Sequence, residues 1–535
     1  WITIRPNTDA ALMLALAYTL VSEELYDKNF ISTHTTGLEK FLPYLNGDTD
    51  GQPKNAEWVA QITGMTAQSI IDLARRMAQC RTMISTAWSL QRSDHGEQPI
   101  WLTVVLASLL GQIGLPGGGF GIGYGCENGI GNPVKSFKWP ALSQGINAVE
   151  EFIPVARIAD MLLSPGSKFN YDGEELTYPD IRLLYWAGGN PFHHHQDLNR
   201  LVDAFRQPEC VIVNEIWWTA TARHADIVFP ITTVLERNDL MMTKWEPMAT
   251  PMHKAIQPVG ESRNDYDVFS GLAQRLGFFE EFTEGRNEEE WLRHLWDQAR
   301  QRAGQANFEL PDFDTFWHEG PKEILKAEDK TILLEAYRKD PRINPLATPS
   351  GKIEIFSDVI AGFGYDDCPG HPVWMEPFEW LGGKTVKKFP LHIISNQPST
   401  RLHSQLDSGS ISKGSKIKDR EPMTMNPVDA AGRGIKTGDV VRVFNERGSC
   451  LAGVNLSENV MPGVIQLATG AWFDPVVPGQ IGALCKHGNP NVLTMDQGTS
   501  SLAQGPTAHS TLVEVEKFND DIPKVTAHLP PAISS

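Results

Sequence analysis

The chain contains 535 residues, of which 41% are hydrophobic and 21% charged, and its formal net charge is −18. A chain of this length is too long for one hydrophobic core and predicts about three domains of ordinary size. Its acidity argues against nucleic acid or an anionic membrane as a partner. The longest uncharged apolar run, 100–120, contains Pro116 and several glycines. That run favours a buried helix over a bilayer span of about 20 residues, so we predict no membrane segment.

The six cysteines are scattered through the chain without a CxxC pair: Cys80, Cys126, Cys210, Cys368, Cys450 and Cys485. This spacing argues against an iron–sulfur cluster or a structural zinc site in the chain, because either needs several thiolates at short intervals. The first residue is Trp1, with no initiator Met and no basic or apolar leader. We therefore expect any signal peptide to lie outside this chain, which looks truncated.

The N-terminal elements show helical periodicity and then strand composition. Residues 9–23 (DAALMLALAYTLVSE) predict an amphipathic helix capped by Thr8 or Asp9, and a second helix is expected to open at Thr66. The β-branched content rises at 82–87, which predicts a strand that runs into WSLQRSDHGEQP. The helices are interpreted as scaffold, and the end of the strand is the first candidate ligand contact.

Trp88 and Arg92 lie four residues apart just beyond that strand. An indole can stack on a flat ring, and a guanidinium can bind phosphate or a guanine oxygen through its fork of donors. The pair therefore suits an anionic nucleotide, although a surface Arg over a Trp ring would show the same spacing. The Gly-dense stretch 114–131 lacks the Lys of a Walker loop and a preceding strand, so it predicts a close-packed loop.

Two apolar runs, 181–186 and 210–215, break sharply into small or polar residues. This is the pattern of buried parallel strands that end at a ligand-binding edge. Gly188 and Asn190 follow the first run, where the backbone can turn tightly, and Asn214 lies at the end of the second. For any one of these residues, ordinary turn chemistry is the alternative.

The two edges resemble those of the molybdopterin-dinucleotide oxidoreductases, and within them the dimethyl sulfoxide, trimethylamine N-oxide and biotin or methionine sulfoxide reductases. The resemblance rests on GGNPFHHHQDLNRL, NEIWWTATARHADIVFP with TTVLERND, WSLQR and RLHSQL, and it covers nearly the whole chain. It implies an α/β fold with doubly wound parallel-sheet domains, followed by a C-terminal β-barrel of the double-psi type. We expect dinucleotide-binding α/β domains at 1–165 and 166–388, the second with a helical insertion, and the barrel with its tail at 389–535.

The resemblance also implies cofactor contacts by Trp88, Arg92 and residues of the central stretch. The His triplet 193–195 could suggest a metal site, but adjacent side chains diverge and no fourth ligand has zinc spacing. We therefore assign no metal ligand, and expect one of the triplet to face a pterin or its guanine. The central candidates are Gly188, Asn190, His193, His195, Asn214, Thr219, Asp226, Glu236 and Asp239. For the last two carboxylates, ordinary capping is the alternative.

The C-terminal half predicts a helical region and then a small barrel. Residues 260–277 predict a capped helix, 279–340 a peripheral helical region, and 346–357 (LATPSGKIEIFS) a turn and strand that return to the core. A Pro- and Gly-rich connection leads to short strands between Gly turns, with TGDVV as a hairpin signal. By resemblance, the candidate cofactor contacts of this domain are Asn396, Arg401, His403, Gln405, Asn491 and Gln504. Surface amides are the alternative for the last two.

The activity that the resemblance implies is reduction of a small S-oxide or N-oxide. Molybdenum held by two molybdopterin guanine dinucleotides would take the oxygen. The metal ligand of that family, a serine, is expected before Trp1, so no catalytic residue is named here. The expected electron donor is a c-type cytochrome or a reductase. The expected role is anaerobic respiration in the periplasm, with the cytoplasm as the alternative compartment and a non-catalytic cofactor-binding module as the alternative function.

Overall fold

Three parts of the chain follow one another in the computed structural model, which describes residues 1–124, 130, 137–243, 248–323 and 331–531. An N-terminal part with helices and parallel strands is followed by a central parallel sheet and a C-terminal barrel. The predicted α/β class with a C-terminal barrel is therefore confirmed. Cys126 and part of the Gly-dense stretch lie outside the described residues.

The N-terminal part consists of helices around a central helix, α1, and a pair of parallel strands. Its elements are α1 (Asp9–Ser22), α2 (Lys28–His34), β1 (Thr35–Thr36), α3 (Leu38–Asn46), α4 (Ala56–Thr63), α5 (Ala67–Gln79), β2 (Met83–Thr86), α6 (Glu97–Leu109) and β3 (Gly119–Ile122). Helix α1 packs against α4, α5 and α6, and Leu20 is fully buried in that contact. Helix α5 begins as predicted after Thr66, whose hydroxyl accepts the Ser69 N–H at 3.2 Å. Thr8 precedes α1 without capping it, because its hydroxyl donates to the Arg5 carbonyl at 2.6 Å.

The central part is built around a parallel sheet of β6, β7 and β8. Its elements are α7 (Ile158–Leu163), β4 (Lys168–Tyr171), β5 (Glu174–Thr177), β6 (Leu183–Ala187), α8 (Pro191–His194), α9 (Leu198–Ala204), β7 (Cys210–Glu215), β8 (Ile227–Pro230), β9 (Asp239–Met241) and β10 (Met248–Met252). Val211 and Val213, at alternate positions of β7, belong to the same buried cluster as Leu201 of α9. Asn214 of β7 pairs with Ala187 and with Phe229, so the three strands end together at one edge.

Helices and two very short strands follow the central sheet, as predicted for much of 260–340. They are α10 (Asp265–Leu276), α11 (Phe279–Thr283), α12 (Glu288–Gln305), α13 (Phe313–Glu319), β11 (Lys322–Glu323), α14 (Glu335–Lys339), β12 (Ile353–Glu354) and α15 (Asp358–Phe363). Trp296 of α12 stacks on Phe316 of α13 with ring centroids 3.7 Å apart. Strand β12 pairs in parallel with β1, so the segment 346–357 returns to the N-terminal part as predicted. The three predicted domain ranges stay predictions.

Six of the described strands close into a barrel at the C-terminal end. The elements of this part are β13 (Leu391–Ile394), α16 (Ser410–Ser415), β14 (Pro422–Met425), α17 (Pro427–Ala431), β15 (Val440–Phe444), β16 (Ser449–Leu456), β17 (Val464–Leu467) and β18 (Leu512–Lys517). The strands follow the order β13-β17-β14-β16-β15-β18, and β18 pairs back to β13. Val443 and Ile465 of the barrel belong to the same buried cluster as Val213 of the central sheet, so the two parts share one core.

Two details of the barrel differ from the sequence-based prediction. The strands β14 and β18, which close the barrel, were not predicted. The predicted hairpin at TGDVV is wrong, because the turn between β15 and β16 lies further on, where the Asn445 N–H donates to the Gly448 carbonyl at 3.1 Å. Within the described ranges, no helix is long and apolar enough to cross a membrane.

Candidate functional site

A cleft of about 590 Å³ lies where the three parts of the chain meet. The N-terminal part contributes residues near α1 and the segment after β2, the central part contributes the segment after α8, and the barrel contributes the segment after β13. Its polar lining includes Asn7, Asp9, Trp88, Arg92, His194, Gln196, His392, Asn396, Gln397, His403, Asn491 and His509. The cleft therefore combines five of the predicted contacts, Trp88, Arg92, Asn396, His403 and Asn491, with residues that the sequence did not single out.

Trp88 and Arg92 stand on one wall of this cleft. They begin and end a short 3-10 helix, Trp88–Arg92, that follows β2, and Trp88 is 50% exposed. The backbone of this turn is fixed to the barrel, since the His509 N–H donates to the Arg92 carbonyl at 3.0 Å. Among the described residues, no carboxylate lies within ion-pairing distance of the Arg92 guanidinium. Its charge is therefore available to an anion.

Besides His403, three imidazoles line the cleft, those of His194, His392 and His509. Burial lowers the pKa of His194 to about 4, and the positive charges of His403 and Arg92 add to the effect. Burial, with a contribution from Arg92, also lowers the pKa of His509 to about 4. Burial is likewise the main reason that the pKa of His392 is lowered to about 4. At neutral pH these rings are uncharged, so each offers one donor and one acceptor.

Several buried polar atoms of the cleft have no hydrogen-bond partner in the described part of the chain. They are the side-chain oxygens Oδ1 of Asn396 and Oε1 of Gln196, and Nδ1 of His392. The other end of the Asn396 amide is fixed, because its Nδ2 donates to the Gln397 carbonyl at 2.8 Å. Unpaired buried acceptors are costly, so the cleft is complementary to a ligand that brings donors as well as a negative charge.

The carboxyl edge of the central sheet forms a second polar surface. Asn190 donates through Nδ2 to Glu215 Oε2 at 2.9 Å, and Thr219 donates through its hydroxyl to the same oxygen at 2.9 Å. The hydroxyl of Thr221 donates to Asn190 Oδ1. Gly188 gives the chain its turn here, with a φ of 77° that side chains rarely allow. The predicted contacts Gly188, Asn190 and Thr219 thus lie together beside a carboxylate that is already oriented.

Asn214 lies at the end of β7, near this surface, but its amide is occupied within the protein. Its Oδ1 accepts the Tyr185 hydroxyl at 2.9 Å, and its Nδ2 donates to Asp265 Oδ1 at 2.8 Å. The side chain is 3% exposed. These bonds anchor the first turn of α10 to the sheet.

The three predicted carboxylates of the central part form bonds within their own neighbourhood. Asp226 lies at the opposite, amino end of the sheet, where it accepts the Val211 N–H at 2.8 Å. Glu236 accepts two backbone N–H groups, and these bonds lower the pKa of its carboxyl. Asp239 accepts the N–H of its neighbour Leu240 at 2.9 Å. Glu236 and Asp239 accept these bonds before and within β9, not at a helix terminus, and a cofactor contact for all three carboxylates stays a prediction.

The His triplet diverges, as expected for adjacent residues of a single helical turn. His194 reaches the cleft, where its Nε2 lies 3.0 Å from the Ser404 hydroxyl. His193 is fully buried and stacks on Trp472 with ring centroids 5.2 Å apart. His195 is buried with its Nε2 3.6 Å from Asp496. His193 and His195, the two rings selected from the sequence, are therefore not part of the cleft lining, whereas His194 between them is.

In the barrel, the predicted Arg401 is held by the protein itself. Its side chain is fully buried, with Nε 3.3 Å from Asp407 and Nη2 3.1 Å from Glu421. Gln405 is exposed, and Gln504 donates to the Asn170 carbonyl at 2.8 Å, outside the cleft. His403 does line the cleft, where its Nδ1 is 2.8 Å from Gln397 Nε2. His392 and His509 carry no signal at the level of sequence, because they are isolated in it and reach the cleft through barrel closure.

The central parallel sheet has a polar carboxyl edge, and the cleft beside the barrel carries the Arg92 charge and has room for a ring system. This combination is typical of proteins that bind a nucleotide-type cofactor. The family model "Molybdopterin oxidoreductase" matches residues 1–275, and the model "Molydopterin dinucleotide binding domain" matches residues 391–512. The chain belongs to the molybdopterin oxidoreductase family.

Curated relatives are similar over nearly the whole chain. A dimethyl sulfoxide/trimethylamine N-oxide reductase of Cereibacter sphaeroides is 49% identical over 530 residues, which are 96% of this chain and 64% of the relative. A trimethylamine-N-oxide reductase of Haemophilus influenzae is 48% identical, covering 99% of this chain and 66% of the relative. A biotin sulfoxide reductase of Cereibacter sphaeroides is 48% identical, covering 97% and 69%. The chain thus spans about two thirds of the length of these relatives.

Among solved structures, acetylene hydratase from Pelobacter acetylenicus matches with a TM-score of 0.64 and 18% identity. The match covers 96% of this chain and 71% of that one. At this identity the likeness concerns the fold alone.

Proposed function

We propose that this chain is part of a molybdenum-dependent reductase that takes oxygen from a small S-oxide or N-oxide. The observation that carries the proposal is the cleft at the junction of the two matched family regions. There, Arg92 has no carboxylate partner and several buried acceptors have no donor among the described residues. The relatives that match over most of the chain are named as reductases of such oxides. These names favour an enzyme over a non-catalytic cofactor-binding module.

The lining of the cleft fits a molybdopterin guanine dinucleotide. Pterin and guanine rings present N–H donors, which match the unpaired oxygens Asn396 Oδ1 and Gln196 Oε1. The diphosphate would supply the negatively charged partner that Arg92 lacks among the described residues, and Trp88 offers a ring face for stacking. A cleft of about 590 Å³ is within the range of about 300–1,000 Å³ usual for such ligands.

A second dinucleotide is proposed for the carboxyl edge of the central sheet. Glu215 is held there by Asn190 and Thr219, so its remaining lone pairs are oriented before a ligand arrives. Carboxylates at such strand ends commonly accept ribose hydroxyl groups. Trp217 and Trp218, 50% and 42% exposed beside it, offer apolar cover. The presence of two separate surfaces, the cleft and the carboxyl edge, supports the proposal that two dinucleotides are bound for each molybdenum.

When bound, the molybdenum centre would supply the two-electron chemistry of oxygen removal. The residues of this chain bind and orient the dinucleotides, and the neutral rings of His194, His392 and His509 supply uncharged hydrogen bonds to them. We propose no iron–sulfur cluster within this chain. We further propose a c-type cytochrome or a reductase as electron donor and anaerobic respiration in the periplasm as the setting, with the cytoplasm as the alternative.

The activity can be tested with the protein encoded by the complete gene. Reduced viologen is supplied as electron donor, and its oxidation is followed with trimethylamine N-oxide, dimethyl sulfoxide and biotin sulfoxide. We expect turnover with at least one of these oxides, in proportion to the molybdenum content of the preparation. Molybdenum-loaded protein that reduces none of them would contradict the proposed function.

A further inference from the structure

Three side chains from distant parts of the sequence converge in the barrel region, and none of the three lines the cofactor cleft. They are Asp407, His487 and His528, whose ligand atoms all lie within 4.8 Å of one another. Asp407 Oδ2 is 2.9 Å from His528 Nε2 and 3.7 Å from His487 Nε2. The side chains of Asp407 and His487 are 0% and 1% exposed, whereas that of His528 is 15% exposed. The group is thus buried, with one ring near the surface.

A hydrogen bond to the backbone fixes the tautomer of His487, and thereby which ring nitrogen presents a lone pair to Asp407. Its Nδ1 is 3.0 Å from the Trp472 carbonyl, which can only accept, so Nδ1 carries the proton. In the neutral ring, Nε2 then presents its lone pair to Asp407 Oδ2 with no proton between them. This orientation through a backbone carbonyl is the usual arrangement of a metal-binding histidine.

The other oxygen of Asp407 is held by donors. Lys416 Nζ is 2.7 Å from Oδ1, Arg401 Nε is 3.3 Å from it, and the Ser412 hydroxyl is 3.1 Å from it. Glu421 pairs with the same Lys416 and Arg401 and so balances the second positive charge. Metal-binding carboxylates are commonly hydrogen-bonded in this way through the oxygen that does not bind the ion. Oδ2 is therefore left to face the two imidazoles.

A second observation points to a missing ligand in the same region. His193 is fully buried, and neither of its ring nitrogens has a hydrogen-bond partner in the described part of the chain. Its ring stacks on Trp472, and the same indole also contacts the ring of His528, with centroids 5.0 Å apart. An unpaired buried imidazole beside the cluster is a group that a bound ion or a buried water would satisfy.

We propose that Asp407 Oδ2, His487 Nε2 and His528 Nε2 bind one divalent transition-metal ion of the zinc class. Two imidazoles and one carboxylate are a usual donor set for such an ion. His528 would give up the proton it shares with Asp407, and its partly exposed ring can carry that proton on Nδ1. The inference does not depend on the proposed reductase function.

The ion would have a structural role, because His528 lies in a segment that already joins two parts of the fold. Arg223 of the central part donates to the carbonyls of Thr526 and Ala527 at 3.0 and 2.9 Å. Asp474 of the barrel part accepts the N–H of Thr526 at 2.6 Å. A metal at His528 would fix this segment at a third point.

Zinc alone serves as the probe, applied to the full-length molybdenum-containing protein, with zinc and molybdenum measured in the same samples. We expect about one Zn²⁺ per chain, and His528→Ala to weaken zinc binding at least about 10-fold while molybdenum content stays unchanged. His318→Ala, on the exposed last turn of α13, is the matched control and should bind zinc as the unaltered protein does. Equal zinc binding by His528→Ala, or none by the unaltered protein, would overturn the proposal.

Cobalt(II) supplies a test that needs no variant. Added to the unaltered protein, it should show the visible absorption of a nitrogen- and oxygen-bound site and be displaced by one equivalent of zinc. A spectrum no different from that of cobalt in buffer would overturn the proposal. If the unaltered protein binds zinc but contains no molybdenum, the cofactor assignment is wrong and the zinc site stands. Failure of the zinc site and failure of the proposed function are therefore distinguishable.

Discussion

Replacement of Arg92 by Ala should weaken retention of one dinucleotide without disturbing the fold. The guanidinium has no carboxylate within ion-pairing distance among the described residues, so its removal leaves no unpaired buried charge behind. A charge-assisted hydrogen bond to phosphate is worth about 1.5 to 3 kcal/mol. That loss corresponds to roughly 10- to 100-fold weaker binding.

The assay is the amount of guanine nucleotide released by acid from purified protein after extensive dilution and washing, measured beside molybdenum. Arg275→Ala is the matched control, since Arg275 is exposed on α10 and donates to the Gly271 carbonyl of its own helix at 3.0 Å. The control should keep its full nucleotide content. If Arg92→Ala keeps it as well, the Trp88 and Arg92 pair is a surface contact and the reasoning for this wall of the cleft is refuted.

Three further changes test other parts of the account. Glu215→Ala should reduce the guanine content, because Glu215 belongs to the second surface. The double variant with Arg92→Ala should retain less guanine than either single variant, and a double variant that retains as much as one of them would contradict two separate sites. Gly470→Ala should release cofactor, because the added Cβ would lie 2.0 Å from the carbonyl oxygen of the cleft residue His403. Gly434→Ala, also at positive φ but in open space, is the control and should retain the cofactor. Equal retention by the two variants would contradict the role of this turn. Burial lowers the pKa of His392 to about 4 from 6.5, so the unfolded chain takes up this proton between about pH 6.5 and 4 while the native chain does not. The free energy of unfolding should therefore fall as the pH drops through that window, by up to about 3 kcal/mol for this ring, and denaturant titrations of His392→Gln that show the same fall would contradict the assignment.

Local signals predicted much of the fold. Thr66 supplies a cap and α5 follows it, and the apolar runs of β6 and β7 end at small or polar residues, as the sequence predicts for parallel strands. The expected burial is right for β7 but wrong for β6, whose first and last residues are exposed. The strand β14, only Pro422–Met425, is too short and begins with a residue that lacks an N–H, so its composition carries little strand signal. Its place in the barrel is set by pairing with β16 and β17.

The candidate site was predictable only where one short segment supplies it. Trp88 and Arg92 share a single turn, and both reach the cleft. His194 was missed in favour of its neighbours, because side chains on one helical turn diverge and the sequence does not say which one faces the ligand. Arg401 has the chemistry of a phosphate contact, but its partners Asp407 and Glu421 neutralise it inside the barrel. Such pairing depends on tertiary structure and has no signature at the level of spacing.

The ratio of guanine nucleotide to molybdenum in the purified full-length protein decides whether two dinucleotides are bound for each metal. Acid release of the nucleotide followed by chromatography gives the numerator, and elemental analysis of the same sample gives the denominator. We expect about two guanines for each molybdenum, one from the cleft and one from the carboxyl edge of the central sheet. A protein that carries no molybdenum, or one with a single guanine for each metal, would contradict it.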